Sequence, residues 1–233
     1  MNATGVGPHR RGPTPDSATL CYAVAVTERP DPELLQAWRD GDAKAGSALF
    51  ERHFEVLYGF FASKVGDAAD DLVQQTFAAC IHGGVAYRGE SSFRAYLFAI
   101  ARHELYRFFE RRGREGPPCD VAELSLRDLG TSPSAAAARH EDERVLFEAL
   151  QRLPLEQQLV VEFYYIEGLR GRDLVAALGI PAGTVRSRLR LALERLRREV
   201  EAIAQTPNCL ASTRSTLDGW AALVGPAVGD AEA

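Results

Sequence analysis

Apolar residues recur at intervals of three and four along most of the chain, and no alternation of two is sustained, so the pattern predicts helices throughout. Asp31-Pro32-Glu33 offers an N-cap, a proline at the first helical position and an acid in the first turn, ahead of Leu34, Leu35 and Trp38. A second helix opens at Asp42 and sets Ala45, Leu49, Phe50, His53, Phe54, Leu57, Tyr58 and Phe61 on one face, closing near Gly66. Asp67 caps a third, with Leu72, Val73, Phe77, Cys80 and Ile81 inward and Gly83-Gly84 at its end. Ser91 or Ser92 caps a fourth, whose apolar stripe runs Phe93, Leu97, Ile100, Ala101, Leu105 and Phe108. Four helices in residues 31–112 predict a bundle-like domain.

A second helical domain is expected over residues 141–201. Glu141 to Leu153 turns Val145, Leu146, Ala149 and Leu150 inward, Pro154 breaks the helix, and Leu155 to Ile166 forms the next, ended by Gly168. A short helix from Arg172 to Leu178, the turn at Gly179-Ile180-Pro181 and a helix from Ala182 to Arg198 complete the domain as a helix-turn-helix. Between the two domains, residues 113–140 shift to Gly, Pro, Ser and Ala, with Pro117-Pro118 and Ser132-Pro133-Ser134, and read as a flexible linker. Residues 1–30 read as disordered. In the extension 202–233, the stretch from Leu210 to Leu223, with Leu217 and Trp220, is either a short docking helix or a fraying tail. The expected fold class is all-α: two helical domains, a flexible linker, and a helix-turn-helix ending the second.

Charge refines this picture. The formal net charge of the 233 residues is -5, yet it is unevenly spread. Arginines 94, 102, 107, 111, 112 and 114 stand against only Glu104 and Glu110, and arginines 186, 188, 190, 195, 197 and 198 against only Glu194. Two basic islands in an acidic chain suit a polyanionic partner, although a basic cluster by itself is most often a solvated helix face. In the helix-turn-helix the second island gains meaning. Leu174, Leu178, Ile180, Val185 and Leu189 would lock the crossing angle, leaving Thr184, Arg186, Ser187, Arg188 and Arg190 at the start of the second helix, the part that enters a major groove. There arginine forks onto guanine, and serine or threonine reaches a base or a phosphate.

These residues carry a family resemblance. Leu153-Pro154, the run from Val160 to Leu169, and the run from Leu178 to Leu189 resemble the promoter-binding domain of extracytoplasmic-function (ECF) sigma factors of the sigma-70 family. Asp71-Leu72-Val73-Gln74-Gln75-Thr76-Phe77 is similar to that family's polymerase-binding signature, and Tyr87 to Leu97 with Ile100-Ala101-Arg102 to its promoter-melting loop and minus-ten helix. The resemblance implies a transcription initiation factor with core RNA polymerase and promoter DNA as partners and an anti-sigma factor as a restraining one. It assigns Asp70, Asp71, Gln74, Gln75 and Phe77 to the beta-prime clamp helices, and Arg88, Gly89, Glu90, Ser91, Ser92, Arg94, Arg102 and Arg107 to minus-ten recognition and melting. Minus-35 recognition falls to Thr184, Arg186, Ser187, Arg188 and Arg190. A polar loop suits a flipped base, which shows both its face and its hydrogen-bonding edge. Tyr87 is the aromatic best placed to stack; Phe93 and Tyr96 read equally well as core. Gln75 in place of a glutamate, Leu191 in place of an arginine, and Arg170-Gly171-Arg172 in place of a small hydroxyl cap depart from the family pattern.

Other classes fit less well. A sigma-like interaction protein that only titrates an anti-sigma factor could dispense with the DNA-facing arginines and the melting loop, and both are present. A response regulator needs an alternating strand-and-helix receiver domain, which is missing from the pattern. The five histidines are scattered, no Walker loop, HExxH or nucleophile context occurs, and the four cysteines, Cys21, Cys80, Cys119 and Cys209, lie far apart, so no catalytic residue, metal or cofactor is expected. No window approaches the roughly 18 apolar residues of a membrane span, and the amino-terminal residues lack the apolar run of a signal peptide, so a cytoplasmic location is expected.

Overall fold

The structure is a computed structural model and describes residues 29–82, 87, 89–113, 123–128, 141–204, 210–213 and 215–218. Expectations for residues 1–28, Gly83-Gly84, Arg88, most of 113–140 and Trp220 lie outside the described residues. The described residues are helical almost throughout, as the spacing predicts. The only β pairing among them is an isolated bridge between Ser125 and Pro154.

The chain divides between Arg52 and His53 into two compact units. The first contains α1 (Asp31–Arg39) and the start of α2 (Ala43–Val65). Pro30, not Asp31, is the N-cap of α1: its carbonyl accepts from the amides of Glu33 and Leu34 at 3.0 and 3.1 Å. The Asp31 carboxylate pairs instead with Arg52, a cation that the local pattern could not supply. Asp42 caps α2 as expected, accepting from the amides of Lys44 and Ala45 at 3.0 and 3.2 Å. Leu34, Leu35, Ala45 and Leu49 are buried.

The second unit holds the rest of α2, a 3-10 turn Gly66–Ala68, α3 (Ala69–His82), α4 (Phe93–Gly113), α5 (Glu141–Gln151) and α6 (Leu155–Val161). A π-helical turn Glu162–Ile166, α7 (Gly171–Leu178) and α8 (Ala182–Ile203) follow. Asp67 lies in the 3-10 turn rather than at a helix cap. Ser92 caps α4, its hydroxyl oxygen accepting from the Ala95 amide at 3.2 Å. α3 packs on α4, α5 and α6 pack on α8, and α4 also runs along α7.

Burial corrects two apolar stripes. Tyr58, expected inward, is 37% exposed, and Phe60 is buried on α2 instead. On α4, Phe109 takes the core position expected for Phe108, which is only half-buried, and Ala95, Tyr96 and Phe98 widen the buried face. A helix covered on two sides no longer shows one narrow stripe. Residues 210–213 and 215–218 are helical, Leu217 is fully buried and Asp218 pairs with Arg197 at 2.8 Å, so this part of the extension docks on α8.

Candidate nucleic-acid and partner interfaces

Gly179 makes the turn between α7 and α8. Its φ of 66° lies in the left-handed region that costs glycine least, and its amide donates to the Val175 carbonyl at 2.8 Å. α8 then starts after Pro181, burying Val185, Leu189, Ala192, Leu193, Leu196 and Val200 along one face. A single helical face buried this way leaves the opposite one to solvent. Arg186, Ser187 and Arg190 are exposed there, and Thr184 and Arg188 are half-buried. Arg190 pairs with Glu194 on its own helix at 2.9 Å, an exposed pair that a phosphate displaces at little cost. Arg188 is held more firmly, 2.5 Å from Glu156 of α6. With Thr184, Ser187 and Leu191, Arg188 lines a groove that also takes in Gln157 and Arg195, two residues the motif alone did not bring forward.

On α3, Asp70, Asp71, Gln74 and Gln75 are all exposed. Phe77 is not: at 3% exposure it belongs to the core with Leu72, Val73 and Cys80, because its helical position faces α4. It supports the polar surface and does not present itself to a partner. Asp71 and Gln75 border a depression completed by Phe108, Arg111 and Arg112 at the end of α4. Sequence reasoning placed Arg112 only in a basic island and had Arg111 track phosphates; neither was linked to α3.

Gly89 has a φ of 76°; Gly89, Glu90 and Ser92 are exposed and Ser91 is half-buried. Tyr87 is half-buried, its hydroxyl donating to the Ser91 carbonyl at 3.0 Å and its ring 5.2 Å from that of Tyr96 and 6.0 Å from that of Phe93. The ring expected to stack on a base therefore belongs to an aromatic cluster. Arg107 is exposed and touches Glu104 at 3.4 Å. Arg94 and Arg102 point elsewhere. Arg94 Nη2 lies 2.5 Å from Glu167 Oε2, and Arg102 Nε donates to the Ala177 carbonyl at 3.2 Å. Burial pushes the Glu167 carboxyl above the usual glutamate range, against the pull of Arg94. Among the described residues no group of His, Cys, Asp and Glu gathers that could hold a metal, and no helix is long and apolar enough to cross a membrane.

The exposed polar helix α3 and the basic helix α4 precede the helix-turn-helix along the chain, and the comparisons with known proteins divide the chain in the same order. Residues 49–115 match the family described as Sigma-70 region 2, and residues 143–196 match Sigma-70, region 4; together these span just over half of the chain. The chain belongs to the sigma-70 family. It is similar to the RNA polymerase sigma-H factor of Pseudomonas aeruginosa, 29% identical over 175 residues, 70% of this chain and 90% of the relative. It is also similar to the ECF RNA polymerase sigma-E factor of Haemophilus influenzae, 29% identical over 181 residues, 73% of this chain and 95% of the relative. The sigma factor RpoE of Bartonella quintana, solved in complex with the anti-sigma factor NepR, shares the fold with a TM-score of 0.50 and 24% identity, over 66% of this chain and 96% of that one. This sigma factor is thus of the ECF type, a transcription initiation factor and not an enzyme.

Proposed function

We propose that this sigma factor binds core RNA polymerase through the exposed polar face of α3, reads the minus-35 element with the start of α8, and assists promoter opening with residues 88–92 and α4. The observation that carries this reading is the placement of Arg186, Ser187 and Arg190 in solvent at the start of α8, directly after a left-handed glycine turn and above a buried Val185–Leu189 seam. Asp70, Asp71, Gln74 and Gln75 support the polymerase assignment by their shared exposure and polarity, which suit the beta-prime clamp helices. An anti-sigma factor is the natural restraining partner, and the factor acts where the polymerase is, in the cytoplasm.

Run-off transcription from genomic DNA tests the whole reading. Core polymerase reconstituted with the wild-type chain is expected to start at a defined set of promoters. The Asp71→Lys chain, still helical by circular dichroism, should neither co-purify with core enzyme nor support those transcripts. Absence of specific starts with the wild-type chain would leave a sigma-like protein that titrates an anti-sigma factor.

A further inference from the structure

The pairs that Arg188 and Arg190 of α8 make differ in kind. Arg190 and Glu194 stand one turn apart on the same helix, and both are exposed. Arg188 reaches across to α6 instead, where its Nη2 lies 2.5 Å from Glu156 Oε2 and the two side chains are 24% and 35% exposed. The base of that carboxylate is fixed. Its neighbour Leu155, fully buried at the start of α6, donates its amide to the Leu124 carbonyl at 2.9 Å, and Pro154 bridges to Ser125. Asp128 closes this hook by accepting from the Ser125 amide and hydroxyl at 3.1 and 2.6 Å, and the fully buried Leu126 anchors it. A stretch whose composition reads as flexible linker thus braces the first turn of α6. Glu156 and Arg188 share one groove with Thr184, Ser187 and Arg195.

We propose that Glu156 is a positioning residue for minus-35 recognition: it holds the Arg188 guanidinium toward the edge of a guanine and away from the phosphates, so that Arg188 reads a base while Arg190 serves the backbone. The proposal rests on the assignment of α8 to the minus-35 element, and it gives the arginines of that helix unequal tasks.

A guanidinium carries five donors in a rigid plane, so a carboxylate on Nη2 sets that plane without using up the fork. Side-chain freedom already lost to Glu156 is not lost again when a base is met. The carboxylate also sorts the acceptors that DNA offers. Beside a phosphate its negative charge meets another, whereas guanine O6 and N7 are neutral, and guanine alone sets two acceptors side by side in the major groove. Arg190 meets no such filter, because an exposed carboxylate turns aside into solvent when a phosphate arrives.

Holoenzyme made from core RNA polymerase and the full-length chain tests this on a template library. The library takes one promoter found by run-off transcription, randomises its minus-35 element and gives each template a transcribed barcode, so that sequenced transcripts report the preference at each position. The wild-type chain is expected to prefer guanine at one position about tenfold, and Arg188→Ala to abolish that preference alone. Glu156→Ala should remove it nearly as completely, leave the other positions unchanged, and add nothing in the Arg188→Ala background. Glu156→Gln keeps an acceptor without the charge and should lose about threefold at the same position; it decides the matter if the alanine variant lowers the helix content. Charge alone predicts the opposite, stronger use of every template with preferences intact, since a negative group leaves the DNA face. Arg190→Ala should lower output from all templates alike. The role of Glu156 would be overturned by an Arg188→Ala variant that shifts no position or one that prefers a base other than guanine. Intact preference in a helical Glu156 variant, a uniform gain over all templates, or a loss beyond that of Arg188→Ala would overturn it equally. Those results leave α8 as the minus-35 reader as long as the wild-type chain shows a preference within the element; without one, that reading falls, and the role of Glu156 with it.

Discussion

At the scale of single residues, the arginines of the two basic islands look alike in sequence and differ in the fold. Arg186 stands in solvent, Arg188 is committed to Glu156, and Arg94 is committed to Glu167, 73 positions away. Nothing in the spacing of charges along a helix foretells a partner that distant. Glu167 shows what such a contact does to a carboxyl. It faces Arg94 from α4, Lys64 from α2 and Glu162 from the π turn just before it, and burial outweighs the two cations, so the packed state holds its proton more tightly than solvent does. Packing is thus favoured at low pH and loses that help as pH rises through the raised value. Glu167→Gln removes the titration. The melting temperature of the wild-type chain should therefore gain on that of the variant as pH falls from neutral toward about 4, where an ordinary glutamate titrates. A difference independent of pH would show that Glu167 carries no net cost of burial.

Among elements, starts and stops were the legible part. Asp42, Ser92, Pro154, Gly168 and Gly179 each act where the local chemistry places them, as caps, a breaker and two left-handed turns. The π turn Glu162–Ile166 was not legible, because its spacing of apolar residues passes for ordinary helix. Nor was its closure. Arg170 stands at the N-cap of α7 in place of the family's commoner small hydroxyl, makes no side-chain cap bond, and reaches back to donate to the carbonyls of Tyr164 and Leu169. Its guanidinium also lies 3.8 Å from the centre of the Tyr164 ring. These bonds tie the π turn to the first helix of the helix-turn-helix. Arg170→Ala leaves two carbonyls short of a donor and should cost about 1–3 kcal/mol, read as a lowered thermal midpoint. Because α7 sets the angle of α8, promoter binding by the reconstituted polymerase should weaken as well, although Arg170 is not among the residues proposed to contact DNA. An unchanged midpoint would mean that the turn holds without its arginine.

Across the whole molecule, the sequence conveys the list of helices and the family far better than it conveys which helix covers which. Phe163, Lys64 and Arg102 each fit a single amphipathic helix, and their burial or capture follows from distant segments: Phe163 packs on Phe60 and Phe98, Lys64 pairs with Glu162, and Arg102 of α4 reaches Ala177 of α7, 75 positions away. That contact bears on promoter opening. Unstacking a base costs a few kcal/mol and is offset only by a pocket held rigidly in place. The loop before α4 is framed on one side by the Tyr87–Phe93–Tyr96 cluster, while the Ser92 cap fixes its end. The Ser92 amide is taken by Asp173 of α7. Replacing Gly89, Glu90, Ser91 and Ser92 by a flexible linker removes both the proposed melting loop and the Ser92–Asp173 contact. The loop variant should bind core polymerase as the wild-type chain does and still form the closed promoter complex through α8. It should nonetheless lose the permanganate-reactive thymines that mark melted DNA near the start site. The order of those effects distinguishes a melting loop from a structural one, since a loop needed only for folding would lower polymerase binding first. Normal thymine reactivity in the variant would place promoter opening elsewhere in the chain.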